Sequence, residues 1–389
     1  MFRNIIISLL LCTYLSAESF DEFLQKAIKN SPYLESLALS VKQTKEEGEI
    51  LTRYKNPTLE LEYSSLNPDL GSSDDSYRVN LSQPIRLWGV GDDKRDVVNS
   101  SINTANASYS QKRAIFIRDI SLLYTNYSKM KMLLKLGDEE LNIAKKIYDI
   151  SIAEFEEGRI SKGLKLHSLV EYEIANNSKE ALSLDELESY FSLLKFAGIN
   201  EEIEIEENYL FSVNGDIQNI KNPSVVLLEN QQNQALSKVK LNSNSLEWIN
   251  LFAELENEPD QDIYRVGLEF PLAIFNNKSQ EKTIAMLKAS SSELLIQNET
   301  NRLNMDFLRL KRERASLTKL YESNENILNI QLELLKMHED SYKISHTNLL
   351  QLQEVNNKVI KTKKSLIQIQ TALDKNAIYT NYSKGNFNE

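Results

Sequence analysis

Two stretches of this chain, YRVNLSQPIRLWG (Tyr77–Gly89) and YRVGLEFPLAIFN (Tyr264–Asn276), share Tyr-Arg-Val, then Leu, then Pro, and end in an aromatic, Trp88 and Phe275. The second starts 187 positions after the first (264 against 77), close to half of the 389 residues. The same offset relates Phe155 to Tyr342 and Gly198 to Gly385. The repeat is therefore not confined to two strands. Each half reads as helix, hairpin, long helix, turn and return helix.

Proline placement allows those long helices. No Pro occurs between Ile85 and Asn222, nor from Leu272 onward. An interior Pro would remove a helix donor and clash with the preceding turn. The spacing predicts long helices over 94–157, with only Gly137 as a soft spot, and over 280–343, with neither Gly nor Pro. In the second, Leu303, Phe307, Leu310, Leu317, Tyr321, Leu328, Leu335 and Tyr342 follow alternating steps of four and three. Arg314, Asn324, Gln331 and His338 fill the remaining places. That is the seam of helices packed side by side along their length. A second seam through Leu320, Ile327, Leu334 and Met337 predicts neighbours on two sides.

After Asn56-Pro57 the period changes to two. Leu59, Leu61 and Tyr63 alternate with Thr58, Glu60 and Glu62; Tyr77, Val79 and Leu81 alternate with Arg78, Asn80 and Ser82. Two such runs joined by a polar, turn-rich loop read as a hairpin, here about 57–87. A second hairpin is expected at about 246–272, with Tyr264, Val266, Leu268 and Phe270 on its apolar face and Arg265 and Glu269 opposite. Its first strand reads less cleanly. Leu246 and Trp248 fall in one phase and Ile249, Leu251 and Leu255 in the other, so a bulge or a shifted register is expected there.

The N-terminus has Arg3, an apolar run from Ile5 to Leu15, and then Ser16-Ala17, which reads as a signal peptide over 1–17. Cys12, the single cysteine, lies inside that segment, so the exported chain has no disulfide framework and no thiol chemistry. The remaining division follows the repeat: 18–199, an irregular acidic stretch over 200–222, and 223–389. With 45 Lys+Arg against 56 Asp+Glu, the chain lacks the basic face that nucleic-acid binding needs.

No apolar run after the leader is long enough for a transmembrane helix, so entry into a membrane would have to use strands. Each expected strand has the length a tilted strand needs to cross the apolar core. Strands span lipid only in closed barrels, and the smallest of these have eight strands. Four strands per chain then require assembly, with two copies giving eight and three giving twelve. Trp88 and Trp248, the only tryptophans, would sit with Phe275 at a water–lipid boundary. Arg78 and Arg265, alternating with apolar residues, would face the lumen.

The layout resembles the TolC-type outer-membrane efflux factors over essentially the whole exported chain. The stretches that carry the resemblance are FDEFLQKAIKNSPYLESL, NPTLELEY, LSQPIRLWG, FEEGRIS and SYKISHTNLLQLQ, in that order and in twofold repetition. SQPIRLWGVGDDKR is similar to the heavy-metal branch, that of cobalt–zinc–cadmium or copper–silver exporters. The resemblance implies a mainly α fold with a small β part. Tandem helical hairpins would build a periplasmic α-barrel, and four strands per chain would join a trimeric 12-stranded barrel in outer-membrane lipid. It also implies a periplasmic adaptor and an inner-membrane pump, of RND type, as partners. The chain would then be the exit duct of a tripartite efflux system in a Gram-negative bacterium, passively conducting its cargo, with metal cations as one class.

On the same resemblance, the adaptor meets the helical turns at Gly158, Arg159, Ile160 and Ser161, and at Ser345, His346, Thr347 and Asn348. The periplasmic constriction maps to Tyr342, Gln351 and Glu354. Ser345 departs from the small-glycine pattern at the second turn, and Thr347 stands where the family has arginine.

No catalytic constellation is present. His167, His338 and His346 have no partner at metal-ligand spacing, and no Gly-rich phosphate loop occurs. The expectation is no enzyme, no cofactor and no metal site. The alternative from another class is a soluble periplasmic coiled-coil scaffold or adaptor whose strands form a small water-exposed domain.

Overall fold

The computed structural model describes residues 18–66, 74–206, 209–213, 221–343 and 349–385. The expected leader over 1–17 and the turn residues Ser345, His346, Thr347 and Asn348 lie outside them. Chain order gives α1 (Phe20–Asn30), α2 (Pro32–Thr52), β1 (Thr58–Leu66), β2 (Asp74–Arg86), α3 (Val90–Glu156) and α4 (Lys162–Ala197). Then follow α5 (Pro223–Leu241), β3 (Trp248–Glu258), β4 (Gln261–Glu269), α6 (Ser279–Lys343) and α7 (Leu349–Lys384).

The repeat is a structural fact. Adding the 187-residue offset to the ends of α4, 162 and 197, lands on the ends of α7, 349 and 384. The glycines after these two helices, Gly198 and Gly385, share a left-handed backbone, with φ of 71° and 75°. The long helices α3 and α6 run for 67 and 65 residues without a break.

The described residues of Glu35–Arg113 and Lys221–Leu303 form one compact unit. Its sheet is antiparallel in the order β1-β2-β3-β4, so β1 and β4 are its edges. The β2–β3 ladder is continuous from Tyr77↔Asn257 to Arg86↔Trp248, without a bulge. The two phases at the start of β3 have another cause: Trp248 belongs to the polar face. In the same unit, α2 and α3 pack closely at Gly48, where an added Cβ would meet Val98 Cγ1 at 2.4 Å. The α3–α5 contact is polar: Thr104 donates to the Asn230 carbonyl at 3.1 Å and Gln234 to Ser101 Oγ at 2.8 Å.

The described residues of Met1–Leu34, Ala114–Ile220 and Asn304–Glu389 form the other unit. Ser19 begins α1 with a reciprocal capping box to Glu22, and this helix buries Phe20, Phe23, Leu24 and Ala27. Phe20 meets the rings of Tyr124, Tyr209 and Phe211 at 4.7, 4.8 and 5.0 Å. Tyr124 is fully buried and donates to the Glu206 carbonyl at 2.6 Å, so the acidic segment is pinned to α3. Burial pushes the Tyr124 phenol up to about 12, which keeps it a donor. Gly198 is needed where it stands, because a Cβ there would lie 3.2 Å from Pro32 Cδ in a conformation L-residues avoid.

Along α6, the residues of the first seam are buried or half-buried from Leu303 through Leu310, Tyr321 and Leu335 to Tyr342. Those of the second, Leu320, Ile327, Leu334 and Met337, are exposed in the single chain. Among the described residues no helix is long and apolar enough to cross a membrane.

Candidate functional site

Strand alternation sorts the sheet into two unlike faces. On one, Leu61, Val79, Leu255 and Tyr264 lie side by side across all four strands. Leu59, Leu81, Ala253 and Val266 form the next row. This apolar face is open in the single chain: Leu61 is 70% and Val266 79% exposed. The other face is charged. Its rows are Glu60, Asn80, Glu254 and Arg265, then Glu62, Arg78 and Glu256.

The two arginines singled out in the repeat meet on one carboxylate. Arg78 donates to Glu256 at 3.0 Å and to Glu62 at 2.9 Å; Arg265 donates to Glu256 and to Glu254. Their halves of the sequence are thereby joined through a glutamate that is only 8% exposed. The strands are 9, 13, 11 and 9 residues long, matching or exceeding the length a tilted membrane strand needs.

The aromatics expected at the boundary divide. Trp88 and Phe275 are fully exposed at the strand-to-helix connections. Trp248 is held in a cationic cluster on the polar face, with Arg86 Cζ at 4.8 Å, Lys55 Nζ at 5.4 Å and Lys94 Nζ at 5.7 Å from its ring. Arg86 also donates to the Thr52 and Arg53 carbonyls at 2.8 and 2.7 Å, capping the end of α2.

At the far ends of the long helices, Gly158 turns α3 into α4 with φ of 73°. Its N–H donates to the Phe155 carbonyl at 3.0 Å, and Arg159 N–H to that of Glu154 at 2.8 Å. Arg159 pairs with Glu157 at 2.8 Å. Ser161 caps α4, its hydroxyl accepting from Leu164 N–H at 3.3 Å. Ile160 is half-buried between them. Tyr342, in the last turn of α6, donates to Glu154 Oε1 at 2.6 Å. Gln351 and Glu354 are exposed on α7. Glu354 accepts from Lys358 at 2.7 Å, and that ammonium lowers its pKa.

Sequence reasoning missed Glu154, Glu254 and Glu256 as the partners of the tyrosine and the two arginines. The signal for Glu254 and Glu256 was their alternation with Ala253 and Leu255. Nothing short of the tertiary pairing identifies Glu154.

No family model and no curated protein matches the sequence. Solved structures do match in fold. CusC, whose structures concern folding and transmembrane channel formation, superposes with a TM-score of 0.76 at 13% identity, over 94% of this chain and 91% of that one. The CmeC outer-membrane channel of Campylobacter jejuni gives 0.73 at 15% identity, covering 94% and 85%. The outer-membrane protein VceC of Vibrio cholerae gives 0.74 at 11% identity, covering 94% and 95%. Across nearly their whole length, the tandem helical hairpins and four-stranded sheet of this chain have the fold of the TolC-type outer-membrane channels.

Proposed function

We propose that this chain belongs to the TolC-type outer-membrane efflux family and acts as the exit duct of a tripartite efflux system, not as an enzyme. The observation that carries the reading is a sheet apolar on one face, charged on the other and unpaired at both edges. In lipid every backbone polar group must be satisfied, so an open sheet cannot enter alone. Copies of the chain close the barrel edge to edge, β4 of one against β1 of the next. Three copies of four strands give the 12-stranded barrel of a homotrimer. The apolar rows then meet outer-membrane lipid and the Arg78–Glu256–Arg265 network lines the lumen.

The exposed second seam of α6 supports the same assembly, because it offers a stripe for a neighbouring helix. Trp88 and Phe275 mark the boundary where the strands leave lipid. The turn at Gly158–Ser161, with its repeat counterpart Ser345–Asn348, is the surface for a periplasmic adaptor, which couples the duct to an inner-membrane pump of RND type. Among the strand residues of the polar face, Glu60, Glu62, Glu254, Glu256 and Glu269 outnumber Arg78, Arg86 and Arg265. That excess favours positively charged cargo, metal cations included.

The test is fractionation of cells producing the full chain, followed by light scattering of the detergent-extracted protein. A trimer extracted from outer membranes supports the duct. A monomer released with the periplasmic fluid overturns it in favour of a soluble scaffold.

A further inference from the structure

A cavity of about 60 Å³ lies between α3, α4 and α7, large enough for an ion with water around it. Glu140 reaches it from α3, Glu171 from α4, and Gln353, Asn356 and Asn357 from α7, with isoleucine and alanine side chains between them. Gln353 is 7% exposed and makes no hydrogen bond among the described residues. Asn356, equally buried, donates its amide to the Leu352 carbonyl at 3.0 Å, which leaves its Oδ1 without a partner. Their free amide atoms line the cavity, where a ligand or water can satisfy them.

The side chains of Glu140 and Glu171 are half-buried. Neither Glu140 nor Glu171 has a hydrogen bond or close ion pair among the described residues. The twofold repeat does not impose the arrangement. At the 187-residue offset Glu140 corresponds to Ile327, Glu171 to Lys358 and Gln353 to Leu166. Glu354, next to Gln353, faces outward to Lys358 and takes no part.

We propose that Glu140, Glu171, Gln353 and Asn356 form a binding site for a hard divalent cation of the calcium type. All the donors are oxygens, the set that Ca²⁺ prefers, and two carboxylates match its charge. The cavity lining contains neither His nor Cys, the ligands that softer ions prefer. The bound ion would tie α7 to the α3–α4 hairpin from inside one chain, and the inference does not depend on the duct.

The test uses the detergent-extracted full chain stripped with a chelator and titrated with Ca²⁺, read by calorimetry and by melting temperature. The expected result is saturable binding of a single Ca²⁺ per chain, with a rise of about 2–4 °C near saturation. Glu140→Gln with Glu171→Gln should abolish both signals. Asp185→Asn with Glu188→Gln, which removes as much charge from the exposed face of α4, should leave them intact. Gln353→Leu keeps the charge and should weaken binding at least several-fold. Absence of saturable binding to the wild type overturns the site. So does unchanged affinity in the carboxylate pair variant or, if that variant does not fold, in Gln353→Leu.

Discussion

The Tyr342 hydroxyl donates to Glu154 Oε1 at 2.6 Å, fastening the last turn of α6 to the last turn of α3. Burial and the adjacent carboxylate push the phenol above its usual value, so it remains a donor throughout the pH range of the cell. Tyr342→Phe removes the bond and leaves a half-buried carboxylate short of a donor, at a cost of about 1–3 kcal/mol. On the duct reading this loosens the narrow end, and single-channel conductance in planar bilayers should rise several-fold. An unchanged conductance would count against a closing role for this bond.

The Glu354–Lys358 pair makes opposite predictions for its two members. On the duct reading, Lys358 neutralises a carboxylate that would otherwise repeat around the tube. Glu354→Gln should weaken cation preference, whereas Lys358→Gln should strengthen it. Reversal potentials under a salt gradient measure both. Movement in the same direction would show that Glu354 does not face the permeating ions.

The two faces of the sheet predict unequal tolerance of charge. Leu61→Arg places a guanidinium on the apolar face, at a cost of about 2–4 kcal/mol at mid-bilayer. Asn80→Arg places it on the polar face, between Glu60 and Glu254. On the duct reading, the first variant should be depleted from outer membranes and lose its trimer, and the second should insert normally. Equal recovery of the two in the membrane fraction would mean that the apolar face does not meet lipid.

Asp374 predicts a pH dependence. It is buried on α7, accepts from Phe211 N–H at 3.3 Å and from Gln370 at 3.2 Å, and burial raises its pKa from 3.8 to about 6. The folded state therefore holds this proton more tightly than the unfolded state. Stability from Asp374 is full below about pH 4 and is lost as pH rises through 6, to roughly 3 kcal/mol at neutrality. Asp374→Asn, which cannot ionise, should raise the melting temperature at pH 7.5 and flatten its change between pH 5 and 7.5. A variant whose melting still falls as steeply across that interval would show that another group is responsible.

Much of the architecture was legible because it is periodic. Steps of four and three from Leu303 to Tyr342 marked the covered side of α6, and alternation at Leu59–Tyr63 and Tyr77–Leu81 marked the apolar side of the sheet. The Gly198/Gly385 pair marked equivalent helix ends because both need a positive φ. What stayed hidden depends on groups brought together from distant elements. The cations around Trp248 could not be foreseen, because a sequence shows its ring but not the guanidinium of Arg86 lying against it. The cavity at Glu140 draws on residues more than two hundred positions apart, Glu140 and Gln353, and no single helix carries a pattern that reveals it. The Phe20–Tyr124–Phe211 cluster was half visible, as an amphipathic α1 whose partners had no signature.

The unpaired margins of the sheet carry a consequence for biogenesis. A lone copy displays two rows of idle amides and carbonyls beside a greasy panel, an invitation to stick to whatever strand it meets. On the duct reading, insertion and oligomerisation must then be one event, so that the bilayer admits the finished ring and rejects its parts. Cells making this protein should need an escort for the lone chain, and a surplus of copies should be degraded rather than stored.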